Sequence, residues 1–195
     1  MPQTEYAIQL EHVTKTFGPV IANHDVTMNI RRGEILSLLG ENGSGKTTLM
    51  NMIAGIYYPD GGQIIVNGQP ADIRSPRDAL ALGIGMIHQH FKLVECFSVL
   101  DNIIMGVEPT KCGFLQKKDA RAKVIALSEK YGLKIDPDAL IEDITVGMQQ
   151  RTEILKALYH GAELLVLDEP SAALTDIEVE GLFAIMRKLV SEGKS

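Results

Sequence analysis

The chain has 195 residues, of which 45% are apolar and 23% charged, and carries a net charge of −6. That length holds one domain with a real core, or a core with a small appended lobe, and excludes two large domains. The ordinary composition excludes disorder and fibrous repeats, and the acidic balance argues against sequence-independent nucleic-acid binding, which needs a basic face.

Residues 6 to 30 alternate apolar and polar over YAIQLEHVTKTF and again over DVTMNI, with a turn near Gly18-Pro19. This predicts a half-buried antiparallel pair. EILSLL, residues 34 to 39, is a short apolar run that predicts a buried strand. A glycine-rich loop follows, then TTLMNMIAGI with helical spacing and Pro59 beyond it. QIIVNGQ predicts another strand running into an Asn-Gly turn. Ser75-Pro76 makes an N-cap and first-turn pair for a helix stopping at Gly83, and IGMIHQ predicts a buried strand after it.

From about 91 to 160 the pattern turns mostly helical. Ser98 caps VLDNIIM, Asp119 begins ARAKVIALSEKY before Gly132, and QQRTEILKALYH ends at Gly161. ELLVLDEP is again a buried strand, and Thr175 caps a last helix ending near Gly193. Strands alternating with helices in the outer thirds predict an α/β fold: a mostly parallel sheet with helices on its faces and a helical insertion. No stretch reaches the ~18 apolar residues of a membrane span. MPQTEYAIQLE shows no basic-then-apolar pattern with a small-residue cleavage site, which predicts no export. Cys96 and Cys112 have no metal or disulfide spacing and read as reduced thiols.

Four stretches carry chemistry. GENGSGKTT comprises Gly40, Glu41, Asn42, Gly43, Ser44, Gly45, Lys46, Thr47 and Thr48, and fits G-x-x-x-x-G-K-[ST] between a predicted strand and helix. In such a loop, glycines let successive N–H groups turn inward around phosphate oxygens at a helix N-terminus. Lys46 adds a point charge toward the β- and γ-phosphates, and the Thr47 hydroxyl is a ligand for Mg²⁺. LLVLDEP places Asp168 and Glu169 at the carboxyl end of a strand, the edge where open α/β sheets bind ligands. Asp168 is the expected Mg²⁺ ligand, and Glu169 the group that orients and polarises an attacking water. Gln89, ending IGMIHQ, is the candidate to reach the metal or water, and Phe17 to stack on a purine. His12, His24, His88, His90 and His160 show no metal-ligand spacing, although His88 and His90 flank Gln89.

The order of these motifs resembles the ATP-binding cassette of membrane transporters: phosphate loop, strand-end Gln, helical insertion, ITVGMQQR, then LLVLDEP. The resemblance covers essentially the whole chain and is similar in detail to the first cassette of tandem ATPases serving nucleoside and simple-sugar importers. It implies one cassette domain over 1–195. Its nucleotide-binding core, with an antiparallel β part, would comprise 1–90 and 161–195, and its α-helical signature subdomain 91–160. ATP and Mg²⁺ are the implied cofactors. The implied partners are a second cassette, transmembrane permease subunits and, through them, a solute-binding protein, with no nucleic acid. The implied place is peripheral, on the cytoplasmic face of the membrane.

In that family the signature helix grips the γ-phosphate of ATP held by the partner cassette, and Thr145, Val146, Gly147, Met148 and Gln149 occupy it here. The usual Leu-Ser-Gly-Gly-Gln is replaced by Ile144, Thr145, Val146, Gly147 and Met148. Val146 introduces a β-branched side chain, which predicts a composite site weaker than its sister. Thr175 stands where Asp is common in the loop after Glu169. The family's later strand and its switch histidine do not follow VSEGKS, so the resemblance predicts a C-terminally truncated cassette with little hydrolysis of its own. Two other readings stand beside it: a P-loop kinase or GTPase, which lacks an Asn-Lys-x-Asp base-specificity motif here, and a soluble non-transport cassette.

Overall fold

The alternation in the first thirty residues becomes β1 (Tyr6–Phe17) and β2 (Val20–Arg31), paired antiparallel from Tyr6 opposite Arg31 to Phe17 opposite Val20. The computed structural model describes residues 5–89, 91–111 and 114–195. After the glycine-rich loop comes α1 (Lys46–Ile53), then β3 (Gly61–Val66) and β4 (Gln69–Ala71), joined by the Asn67-Gly68 turn. The four strands form an antiparallel sheet in the order β2-β1-β3-β4. Helix α2 (Pro76–Ala81) starts at Ser75, whose hydroxyl accepts from the Asp78 N–H as an N-cap should. Strand β5 (Ile84–Ile87) follows.

The helical stretch contains α3 (Val99–Ile104), capped by Ser98, then a small hairpin of β6 (Thr110–Lys111) and β7 (Phe114–Leu115). Helix α4 (Lys117–Tyr131), a 3-10 turn (Ile141–Asp143) and α5 (Val146–Tyr159) complete it. Strand β8 (Leu164–Leu167) pairs with β5, and α6 (Asp176–Ser191) closes the chain. The pairing runs from Gly83 opposite Glu163 and Leu164 to Ile87 opposite Asp168. Both numbers rise together, so the two strands are parallel.

The chain divides into two compact units. One comprises residues 1–85, 163–166 and 189–195, and the other 86–162 and 167–188. In the first, Ile8, Leu10 and Val13 of β1, Leu49, Met52 and Ile53 of α1, and Ile64 and Val66 of β3 form a common core. In the second, Val99 and Ile103 of α3, Val124 of α4, Ile154 and Leu155 of α5, and Leu182 and Ile185 of α6 are buried. Each aliphatic side chain so removed from water contributes about 1.5–3 kcal/mol before the entropy of ordering is charged against it. Among the described residues, no helix is long and apolar enough to cross a membrane.

Three expectations change. EILSLL is not a strand: residues 34–40 carry no regular structure, and Ile35, Leu36 and Leu39 are exposed, Leu39 to 92%. An apolar run becomes a strand only where a neighbour completes its ladder, and no described strand pairs with this one. Helix α4 begins two residues before Asp119, with Gln116 at its cap, which leaves Asp119 in the first turn beside the positive end of the helix. The β6–β7 hairpin interrupts a segment whose period reads as helix. His90 and Cys112 lie outside the described residues, and Cys96 is an exposed free thiol.

Candidate functional site

The residues expected to form the phosphate loop, 40 to 48, lie in the first unit. Gly45 is the N-cap of α1 at φ 90°, without a side-chain cap hydrogen bond. The Lys46 side chain folds back over the loop, its Nζ donating to the carbonyls of Gly40 at 2.7 Å and Glu41 at 2.8 Å. Ser44 N–H donates to the Glu41 carbonyl at 3.2 Å, closing the turn that contains Asn42 and Gly43. Thr47 and Thr48 belong to the first turn of α1.

Phe17, at the end of β1 in the same unit, is 42% exposed. Tyr57 meets it edge-on with ring centroids 5.1 Å apart, and Lys15 Nζ lies 5.5 Å from its centroid. Lys15 is held by Asp60, which also accepts from the Thr16 N–H and hydroxyl. Those bonds, led by that from Lys15, pull the Asp60 carboxyl down to about 2.

In the second unit, Gln89, Asp168, Glu169, Val146 and Gln150 line one cavity of about 220 Å³. The parallel pairing of β5 and β8 sets its floor, because Asp168 N–H donates to the Ile87 carbonyl at 3.1 Å and so fixes where both strands end. Gln89 Nε2 donates to Glu169 Oε2 at 2.8 Å. That bond commits the amide nitrogen and leaves the Gln89 carbonyl oxygen as an acceptor. Glu169 sits at φ 46°, a left-handed conformation that costs a non-glycine residue roughly 1–3 kcal/mol and clusters at functional positions. His88, on the same cavity, has its pKa lowered, first by burial and then by Lys92, while Asp168 acts in the opposite sense.

The signature residues open α5 in this unit. Thr145 is the N-cap, its hydroxyl accepting from the Met148 N–H at 3.3 Å. Val146 and Met148 are exposed to 42% and 38%. Gly147 is buried against Glu178: a Cβ there would lie 2.4 Å from Glu178 Oε1. Gln149 Nε2 reaches back to the Ile141 carbonyl.

Two residues that sequence reading missed organise this end. Glu178 accepts from the Thr175 N–H and hydroxyl and from the Thr145 hydroxyl. Its pKa is lowered by the bonds from Thr175 first, with smaller contributions from Thr145 and the Gly147 N–H. The Thr175-x-x-Glu178 spacing is a capping box and could have been read from the sequence. Glu153, buried in α5, accepts from the Lys92 N–H at 3.1 Å and ties down the segment after Gln89. No sequence signal marks it, because a glutamate on a helix is ordinarily solvated.

Residues 23–172 match the sequence pattern of the ABC transporter family. The chain belongs to that family. It is 53% identical over 191 residues to the nucleoside import ATP-binding protein NupA of Lactococcus lactis and 51% identical to the guanosine import ATP-binding protein NupO of Bacillus subtilis. Each alignment covers 98% of this chain, which spans 38% of the length of either relative. Among solved structures, the dimeric bacterial ABC transporter cassette MJ0796 superposes with a TM-score of 0.78 at 26% identity, over 96% of this chain and 84% of that one. The α/β cassette fold expected from the motif order is thereby shown.

Proposed function

We propose that this cassette binds and hydrolyses ATP to drive an importer of nucleosides or simple sugars. The observation that carries the catalytic part is the Gln89–Glu169 hydrogen bond at the paired ends of β5 and β8, with Glu169 held in a strained left-handed conformation. The similarity to the nucleoside import protein NupA and the guanosine import protein NupO supports the transport class, nucleosides ahead of sugars.

In this reading the loop from Gly40 to Thr48 receives the triphosphate. Its backbone amides and Lys46 Nζ take up phosphate oxygens, so Lys46 exchanges its present carbonyl partners for charged ones. Phe17 offers its exposed face to the purine. Glu169 orients the attacking water, and Gln89 holds the carboxylate in place while its own oxygen stays available. Mg²⁺ would be held by the Thr47 hydroxyl, Asp168 and the Gln89 carbonyl. These are hard oxygen donors with one carboxylate, which suits an ion that keeps several waters and substrate phosphate oxygens as its other ligands. When bound, it neutralises charge on the phosphates. Thr145 to Gln149 would meet the γ-phosphate held by a second cassette, a pairing supported by the dimer formed by MJ0796. Permease subunits on the cytoplasmic face of the membrane, fed by a solute-binding protein, complete the proposed assembly.

The test is ATP turnover in the assembled transporter with and without Glu169→Gln. Turnover is expected to fall by at least a hundredfold while Mg-ATP still binds. Undiminished turnover in that variant would remove Glu169 from the mechanism. Co-purification with ribosomes and no membrane subunit would favour a non-transport cassette instead.

A further inference from the structure

Asn23 is a polar residue inside β2, only 8% exposed. Its Nδ2 donates to the Gly45 carbonyl at 3.3 Å. Its Oδ1 is buried and has no hydrogen-bond partner among the described residues. The acceptor at Gly45 fixes which way round the amide stands, since the oxygen cannot face a carbonyl. An apolar residue of similar volume would fill the same space without burying an unpaired acceptor. The polar side chain therefore earns its place through what it does to Gly45.

Gly45 rests directly on β2 at this point. A Cβ added to it would lie 2.2 Å from the Ala22 carbonyl oxygen and 2.9 Å from Asn23 Nδ2. The Gly45 carbonyl already accepts the first helical bond of α1, from the Leu49 N–H at 2.9 Å. Asn23 is a second donor on the same oxygen, which has two lone pairs to offer. The Gly45–Lys46 peptide is planar and trans, so its carbonyl and its N–H point to opposite sides. Anchoring the carbonyl on β2 turns the Lys46 N–H the other way, toward the hollow of the glycine-rich loop. A carbonyl that accepts two bonds also polarises its peptide and makes that N–H a stronger donor.

We propose that Asn23 is a positioning residue for the phosphate loop: it pins the Gly45 carbonyl so that the Lys46 backbone amide is preset to donate to a nucleotide phosphate. This rests on the reading of residues 40 to 48 as the triphosphate site. Asn23 touches no nucleotide in this scheme; it acts through one peptide.

The experiment compares the purified chain with the neutral variants Asn23→Leu and Asn23→Val, measuring Mg-ATP affinity by calorimetry, thermal midpoint without nucleotide, and the nuclear magnetic resonance shift of the Lys46 amide on adding Mg-ATP. Losing the donor is expected to weaken Mg-ATP binding roughly tenfold and to shrink the downfield shift of the Lys46 amide. Asn23→Leu should meanwhile keep or raise the thermal midpoint, because it removes the unpaired acceptor. Affinity and stability moving in opposite directions is a result that a purely structural asparagine would not give.

Affinity within twofold of the parent, or a loss that only follows a fall in stability, overturns the proposal. Should Asn23→Leu fail to fold, Asn23→Val, which is also neutral and also lacks the donor, decides by the same two measurements. Lys46→Ala is run alongside. If it binds Mg-ATP as the parent does, the phosphate-loop reading itself is wrong. If it loses binding while the Asn23 variants keep it, only the role of Asn23 falls.

Discussion

Alanine at Gly45 and alanine at Gly43 place the same side chain in two similar backbone conformations with different surroundings. Gly45 has φ 90° and Gly43 φ 84°, so each substitution forces an L-residue into left-handed backbone at a cost of about 1–2 kcal/mol. At Gly43 the new methyl meets nothing within 4 Å. At Gly45 it lies 2.2 Å from the Ala22 carbonyl oxygen, about 1 Å short of a van der Waals contact. That oxygen is backbone of a paired strand, so the loop has to move instead. The expected totals are about 1–2 kcal/mol for Gly43→Ala and about 2–4 kcal/mol for Gly45→Ala. At roughly 2–4 °C per kcal/mol for a chain of this size, the midpoints should fall by about 2–8 °C and about 4–16 °C. Thermal unfolding followed by circular dichroism reads both, and calorimetry with Mg-ATP should show the larger affinity loss in Gly45→Ala. Equal midpoints for the two variants would refute the close approach of β2 to the loop. A Gly45→Ala chain as stable as the parent would refute the left-handed geometry too.

Asp60 gives a pH dependence whose sign is fixed. Its folded pKa of about 2 lies below the ordinary 3.8, so its stabilising contribution is fully present above 3.8 and lost as pH falls through about 2. Asp60→Asn should flatten that acid limb in urea unfolding; an unchanged limb would place the acid sensitivity elsewhere. Leu155 is fully buried in α5, and Leu155→Ala should lower stability by about 2–5 kcal/mol in the same assay. A loss below about 1 kcal/mol would show that the helix repacks around the gap. Val146→Gly combined with Met148→Gln should raise ATP turnover of the assembled transporter, and unchanged turnover would mean that the departures from the usual signature are harmless.

Much of this protein is legible in its sequence. Period-two alternation marked β1 and β2, and the Asn67-Gly68 turn marked the end of β3. Ser75, Ser98 and Thr175 each announce a helix start, because a hydroxyl in front of an apolar-periodic run satisfies amides that the helix cannot. The glycine-rich loop and the strand-end acids are equally legible as candidates, since the chemistry proposed for them depends on residue type at short spacing. EILSLL was misread for the opposite reason: its apolar content is local, but strand structure depends on a neighbour elsewhere in the chain.

The sequence by itself determined which segments bend, cap and alternate, and which short motifs are candidates for nucleotide chemistry. All of that is written within a few residues, where steric preference and local hydrogen bonding act. Only the tertiary structure decided that Gln89 donates to Glu169 eighty positions away, that Glu178 reaches the N-terminus of α5, and that a buried Asn23 braces Gly45. Hydrogen bonds between distant residues carry no periodic signature, because they depend on where packing delivers two side chains.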